Sequence, residues 1–383
     1  MSNGFSPALA RLIAAQVCIH ACMAGTRMAA PLLALRSGYS EAAVGFLLAL
    51  FALTQVFLSL PAGRYADRHG LKKPLVWSIA AAVTGAGLAA AFPVFPVLCI
   101  AALCTGGATG TASIALQRHV GRAAANPAEL RQVFSWLSIG PAFSNFLGPF
   151  AAGLMIDHAG FRQAFFMLAL LPVVTWFCVR SLNELGPVVR EEGHKRERAW
   201  DLLAQPNFRR LLLVNWALSS CWDVHTFVVP VLGHERGISA SVIGTILGAF
   251  AVAAALIRVA LPIVAARVPE WKMVTGSMVA TAALFAIYPF MHSALGMGIC
   301  SVLLGISLGV VQPMIMSTIH QITPAHRHGE ALAMRLMAIN ASSVAMPLLF
   351  GLTGAAIGIS GVFWVVGLVV GAGTRLAVKL DER

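Results

Sequence analysis

Taken as a pattern of apolar and polar positions, the chain alternates long apolar runs with short polar breaks. Twelve runs have the length, about 20 residues, that a helix needs to cross the hydrocarbon core of a bilayer. They lie near 11–34, 41–62, 74–92, 94–117, 131–157, 162–182, 209–231, 239–266, 271–291, 294–319, 331–356 and 360–379. Lipid offers no partner to an unpaired backbone N–H or C=O, so each run is predicted to be a helix. The only long polar stretch, 183–208, separates the first six runs from the last six. The pattern predicts an all-α membrane protein of twelve transmembrane helices. Its parts are a six-helix bundle over 1–182, a cytoplasmic linker over 183–208 and a second six-helix bundle over 209–383.

The two halves echo each other at an offset of 199 residues, as from Gly38 to Gly237. Pro31-Leu-Leu-Ala-Leu-Arg-Ser-Gly38-Tyr-Ser40 aligns with Pro230-Val-Leu-Gly-His-Glu-Arg-Gly237-Ile-Ser239, and Gly45, Leu48, Phe51 and Ala52 meet Gly244, Leu247, Phe250 and Ala251. A repeat on this scale is expected of transporters whose halves are related by an axis along the membrane normal.

Composition agrees with a polytopic membrane protein. The 383 residues are 58% hydrophobic and 11% charged, where soluble domains carry about 25% charged residues. A net charge of +12 would suggest nucleic acid in a soluble protein, but here the basic residues gather in short loops, and no nucleic-acid partner is expected. With the N-terminus inside, the cytoplasmic side receives Arg11, Arg64, Arg68, Lys72, Lys73, Arg118, Arg122, Arg131, the linker, Arg267, Lys272, Arg327, Arg375, Lys379 and Arg383. The other side receives only Arg36, Arg162 and Arg236. That asymmetry predicts both termini in the cytoplasm. The first apolar run, Leu12 to Leu35, spans and lacks a small-residue cleavage site, so no cleavable signal is expected. The seven cysteines all fall in apolar runs, and no disulfide is expected.

Between the second and third runs stands Gly63-Arg-Tyr-Ala-Asp67-Arg68-His-Gly70-Leu-Lys72-Lys73. This basic stretch resembles the signature loop of the major facilitator superfamily, roughly G-x-L-A-D-R-x-G-R-K, with Gly63, Asp67, Arg68, Gly70 and Lys72 in matching places and Tyr65 and Leu71 departing from it. A second resemblance lies on helix 5, in Gly140-Pro141-Ala-Phe-Ser-Asn145-Phe-Leu-Gly148-Pro149-Phe-Ala-Ala-Gly153. Its G-P-x-x-x-G pattern (Gly148, Pro149, Gly153) is similar to the helix-5 motif of the drug/metabolite:proton antiporter branch. Glycines there let helices approach closely and prolines let a helix bend. The resemblance implies the major facilitator fold, alternating access, a cavity lined by helices 1, 4, 7 and 10, and a conformational role for Asp67, which in the family meets the inner end of helix 11. One feature departs from the branch: helix 4 carries no arginine before Arg118 at its inner end.

Charge at mid-membrane is costly, so each embedded polar group is a candidate site. Helix 1 supplies Gln16, His20 and Arg27; helix 7 supplies Asn215, Asp223 and His225, with Trp222 beside Asp223 as a binding candidate; helix 11 supplies Arg335, Asn340, Ser342 and Ser343. Asp223 is the only carboxylate well inside any span. Its repeat counterpart, Ala24, lies about one turn from Arg27, so the two charges are expected to face each other across the cavity, either as a proton-switched pair or as a permanent structural one. His20 and His225 are candidates for proton coupling, with a satisfied hydrogen bond inside the bundle as the alternative. Arg258 and Arg335 either line the site or reach the cytoplasmic interface. Gln55, Asn145 and Gln312 are available to orient a substrate or to join helices.

These residues lead to a secondary transporter in the inner (plasma) membrane that exports a small organic compound in exchange for protons, working as a monomer without cofactor. The excess of cationic groups tilts the substrate towards anions or zwitterions. Transport of a metal ion or chelate is the alternative, with Cys18, His20, Cys22, Met23, Cys221, Asp223 and His225 as ligands; a non-transporting receptor or sensor is another. No nucleotide-binding loop or nucleophile–base set is evident, so an enzyme is not expected.

Overall fold

The computed structural model describes residues 6–39, 41–185, 199–238, 240–265 and 268–380. Ser239, Arg267, Arg383 and most of the polar linker lie outside them. Among the described residues the secondary structure is helical throughout: α1 (Pro7–Arg36), α2 (Glu41–His69), α3 (Lys72–Ala91), α4 (Phe95–Ala123), α5 (Pro127–Ala159), α6 (Phe161–Val179), α7 (Pro206–Glu235), α8 (Ala240–Ala265), α9 (Glu270–Ile287), α10 (Ala294–Ile322) and α11 (His328–Val378). Gly358, at φ 74° and ψ 165°, breaks α11 into two rods, so the twelfth predicted span is the part beyond it. Nine stretches among the described residues are long and apolar enough to cross a membrane, and Thr245–Leu261 in α8 is a shorter apolar one.

The chain divides into two compact units. Unit 1 comprises residues 1–125, 136–199 and 323–340; unit 2 comprises 126–135, 200–322 and 341–383. Helices α5 and α11 are thus shared, each giving its first turns to one unit and its remainder to the other.

Small side chains make the core. In unit 1, Ala82, Ala86, Ala101, Ala102, Ala152 and Ala164 pack with Phe51, Phe165 and Leu168. With lipid outside, helices gain little from the hydrophobic effect between them and rely on close van der Waals fit. The closest fit recurs in both halves. A Cβ on Gly106 of α4 would stand 2.3 Å from the Phe51 carbonyl oxygen of α2, and one on Gly305 of α10 would stand 2.3 Å from that of Phe250 in α8. Both the glycines and the phenylalanines are related by the 199-residue offset, as in Gly38 and Gly237. Large apolar side chains such as Phe57, Trp77, Phe166 and Leu368 stand exposed on the rods, as a lipid-facing surface requires.

Filling the α2–α4 crossing is expected to separate the helices. Gly106→Val should lower stability in detergent by about 1–3 kcal/mol or prevent folding, read by thermal unfolding and size-exclusion profile. Gly87→Val, where nothing lies within 4 Å of the new Cβ, should leave both unchanged.

Candidate functional site

The signature stretch is mostly helix. α2 continues to His69, so Gly63, Asp67 and Arg68 lie on its last two turns, and the chain turns only at Gly70 and Leu71. Gly70 takes φ 75°, a conformation open to glycine and strained for other side chains, and its N–H still donates to Ala66 O. The amides of Leu71 and Lys72 then donate to Glu184 Oε1 at 2.8 and 2.9 Å, while Lys72 Nζ donates to Arg180 O. The start of α3 is in this way tied to the residues that follow α6.

Asp67 is the hub of that end of unit 1. Its Oδ1 accepts from Arg118 Nε at 2.6 Å and from the Gly329 amide at 2.9 Å, and its Oδ2 accepts from the Glu330 amide at 3.1 Å. Arg118 also donates to the Asp67 carbonyl. Gly329 and Glu330 belong to the first turn of α11, whose amides have no partner within their own helix and carry the positive end of its dipole. Glu330 in turn accepts from Arg64 Nε at 2.8 Å and Arg327 Nε at 3.0 Å. Two glycines permit this closeness: a Cβ on Gly63 would meet the Gly329 carbonyl oxygen at 2.3 Å. Arg68 is exposed and takes no part in the cluster.

On helix 5 the glycine–proline pattern is a packing device against α1. A Cβ on Gly148 would lie 2.4 Å from Ala21 O, whereas one on Gly153 would meet only Met28 Cε at 3.6 Å. Pro149 removes the N–H that would close on Asn145 O. Ser144 donates to Gly140 O and Val17 O, adding a bond across the same crossing.

Gln16, His20 and Arg27 fall within about 40° of one another around α1 at 3.6 residues per turn. Gln16 is buried beside Gly140. His20 lies near the Asn145 side chain of α5, and Arg27 is exposed. Gln16 Oε1 and His20 Nδ1 are buried with no hydrogen-bond partner among the described residues. Gln55 of α2 lies against Gly110 of α4. Arg335, on the part of α11 counted with unit 1, is buried, and Asn340 donates to Leu336 O of its own helix.

In unit 2, Asp223 and His225 point about 160° apart around α7. His225 is buried in the bundle, its Nε2 2.9 Å from Ser301 Oγ, and Ser301 is 2.9 Å from the Tyr288 hydroxyl. Its ring stacks on Phe250 at 4.0 Å. Trp222 sets its edge on Phe250, and the Arg258 guanidinium lies 5.9 Å from the Trp222 ring centroid while Nε donates to Gly309 O. Arg258 is buried, and Gln312 is half-buried on α10. Arg27 belongs to unit 1 and Asp223 to unit 2. Among the described residues, no three His, Cys, Asp or Glu side chains gather as a metal-binding group, and Cys22 and Cys221 are buried.

Residues of this site that sequence reasoning passed over are Arg118 as partner of Asp67, and Glu330, Arg64 and Glu184 around it. Each sits at a span end, where a charged side chain reads as an interfacial one. Only their convergence across 51 to 266 positions distinguishes them.

A family model described as Major Facilitator Superfamily matches residues 12–294 and 211–382. Among curated proteins, a multidrug resistance protein MdtG of Escherichia fergusonii is 28% identical over 248 residues, 61% of this chain and 59% of that protein. The MdtG of Escherichia coli O1:K1 is 27% identical over the same length. The chain thus matches about three-fifths of these relatives' length. Among solved structures, a bacterial homologue of the iron transporter ferroportin in an outward-facing state superposes with TM-score 0.81 at 15% identity, covering 98% of this chain and 100% of that one. The human organic anion transporter MFSD10 superposes with TM-score 0.79 at 16% identity, covering 96% and 99%. These structural likenesses speak to the fold.

Removing Arg118 or Asp67 alone leaves a buried charge without its partner, so Arg118→Ala is expected to lower stability by about 3–5 kcal/mol. Arg64, 47% exposed in its bridge to Glu330, should lose no more than about 1 kcal/mol on Arg64→Ala. Thermal unfolding of the two purified variants measures the difference.

Proposed function

The chain belongs to the Major Facilitator Superfamily, and from that premise we propose that this transporter exports a small organic compound in exchange for protons, its two six-helix halves (1–182 and 209–383, joined by the linker 183–208) alternating access to a central site. In this reading it sits in the inner membrane as a monomer, with both termini in the cytoplasm. The observation that carries the reading is the stripe of Gln16, His20 and Arg27 on α1, with Gln16 Oε1 and His20 Nδ1 buried and unpartnered among the described residues, in helices that are otherwise apolar. Polar groups kept at membrane depth mark a substrate or ion path. The relatives named for multidrug resistance favour an organic cargo, and Arg27 with Arg258 and Arg335 against Asp223 favours an anionic or zwitterionic one.

Asp223 is the proton-carrying group in this scheme. Unprotonated, it pairs with Arg27; protonation breaks the pair and frees the halves to rock. At the other end, Asp67 latches α11 while the cavity faces outward and releases it when the cavity turns inward; Gly63, Gly70, Lys72 and the helix-5 glycines shape that movement. Substrate is oriented by Gln16, Asn145, Gln55, Gln312 and Trp222, with Asn340 bordering the site.

The test uses the full chain in sealed vesicles with an imposed pH gradient and a panel of organic anions, zwitterions and cations. Wild type should accumulate an anionic or zwitterionic member against its gradient. Asp223→Asn should lose gradient-driven accumulation by at least about tenfold, a difference of 1.4 kcal/mol or more in driving free energy, while retaining exchange without a gradient. Unchanged pumping and pH dependence in Asp223→Asn would falsify the proton role, and a wild type indifferent to the gradient would remove proton coupling altogether.

A further inference from the structure

Unit 2 carries a groove of about 450 Å³ between α8 and α10, lined by Val242, Thr245 and Ala249 of α8 and by Ala294, Gly298 and Leu303 of α10 among others. Thr245 supplies its one polar side chain. The rim runs on into an apolar, exposed surface: Leu295, Ile299 and Leu303 along α10, Val252 and Leu256 along α8. From Ala294 to Leu303 the helix rises about 14 Å, close to half of a hydrocarbon core about 30 Å thick. The groove is thus one leaflet deep. It starts at the end where α7 gives way to α8 and α9 to α10, the outer end in the proposed orientation.

The 199-residue repeat explains why the space is there. Thr245, Ala249, Ala294 and Gly298 stand where the first half has Phe46, Leu50, Phe95 and Cys99. In unit 1 these larger side chains take up the room: Leu50 is buried, and Phe95 stacks on Tyr39 with 4.5 Å between ring centroids. Backbone approach is the same at both crossings, Gly106 against Phe51 and Gly305 against Phe250, so side-chain size alone opens the groove in unit 2. A Cβ on Gly298 would meet nothing within 4 Å, which leaves the floor to the backbone of α10.

The mouth of the groove is positive. Val242 lies in the first turn of α8, and Ala294 and Leu295 open α10, so two helix starts meet there with their first-turn amides and the positive ends of their dipoles. Ser293 Oγ takes the Gly296 amide at 3.1 Å. Arg236, just after α7, donates through Nη1 to Met291 O and through Nη2 to Pro289 O, which fixes its guanidinium beside the turn that leads into Ala294. His292 of that turn is exposed, as is the acid Glu235. We infer that the groove holds one glycerophospholipid of the membrane, an acyl chain lying between α8 and α10 and the phosphate at the two helix starts and Arg236. An acyl chain matches an apolar slot one leaflet long, and a phosphate matches paired helix N-termini with a cation beside them. The site stands apart from the polar stripe on α1 and rests on neither proton coupling nor the choice of transported compound.

Native mass spectrometry of the full chain in detergent, titrated with dioleoylphosphatidylglycerol, tests it. Wild type should fill one site before any others. Gly298→Leu, which places a side chain on the groove floor, should weaken that site at least about tenfold, the effect of displacing about two methylenes of the chain. Gly87→Leu, at an equally open glycine of α3, should bind as wild type does. Dioleoylglycerol, with the same chains and no phosphate, should bind about tenfold more weakly, as for loss of a charge-assisted contact, and inorganic phosphate should not displace the lipid. Wild-type binding by Gly298→Leu overturns the site. So does equal binding of the diacylglycerol, displacement by phosphate alone, or a mass showing a second copy of the chain in the lipid's place. Should Gly298→Leu not fold, Ala249→Leu, which installs the residue of the first half, carries the test; failure of both to fold makes the space a packing requirement and likewise overturns the proposal. Transport in vesicles can fail with this outcome unaffected.

Discussion

Hydrocarbon has nothing to offer a peptide N–H or C=O, and that one fact organises this molecule. It makes every span a helix with its ladder closed on itself. It removes most of the hydrophobic reward for helix association, so contact is won by backbone approach at Gly106 and Gly305 and by alanine-rich faces. It also drives charge to the ends of the rods or into pairs. Arg118 and Asp67, a buried ion pair, lie at helix ends, and Asp67 also accepts hydrogen bonds from the first-turn amides of α11. The few polar groups left at depth are then conspicuous: Gln16, His20 and Arg27 on one face of α1.

The halves share a scaffold and differ in chemistry. The α2–α4 and α8–α10 crossings use the same glycine and the same phenylalanine carbonyl, because that geometry must recur if two bundles are to have one shape. No such demand falls on the polar groups. Where unit 2 buries His225, Ser301 and Tyr288 in a hydrogen-bonded chain, the repeat counterparts in unit 1 are Thr26, Ala102 and Ala89. Where unit 1 places an acid at 67, unit 2 places one at 270, a turn further along.

The helix starts of α5 and α11 show how function can sit where sequence periodicity says least. Gly329 and Glu330 fall in a short polar break and Arg131 at the very start of an apolar run, positions read as solvated or interfacial. Their side chains and amides are nevertheless held by partners 139 to 266 positions away. A helix terminus exposes unpaired amides and concentrates field, so an acid that meets one can hold it firmly and still let it go.

Legibility followed the range of the interaction. Apolar run length alone was enough for twelve helices and two halves, because spanning a bilayer is a local demand on about 20 consecutive residues. The residues Gly63, Asp67, Gly70, Gly148 and Pro149 were likewise readable, since backbone conformation and close approach restrict side-chain size at a single position. Tertiary structure alone decided that α2 runs on to His69, that Gly148 and not Gly153 is the point of closest approach to α1, and that His225 turns into the bundle away from Asp223. It alone chose Arg118, Glu330 and Arg131 as partners. Pairing of charges depends on which helix ends the fold brings together, and no local pattern encodes that meeting.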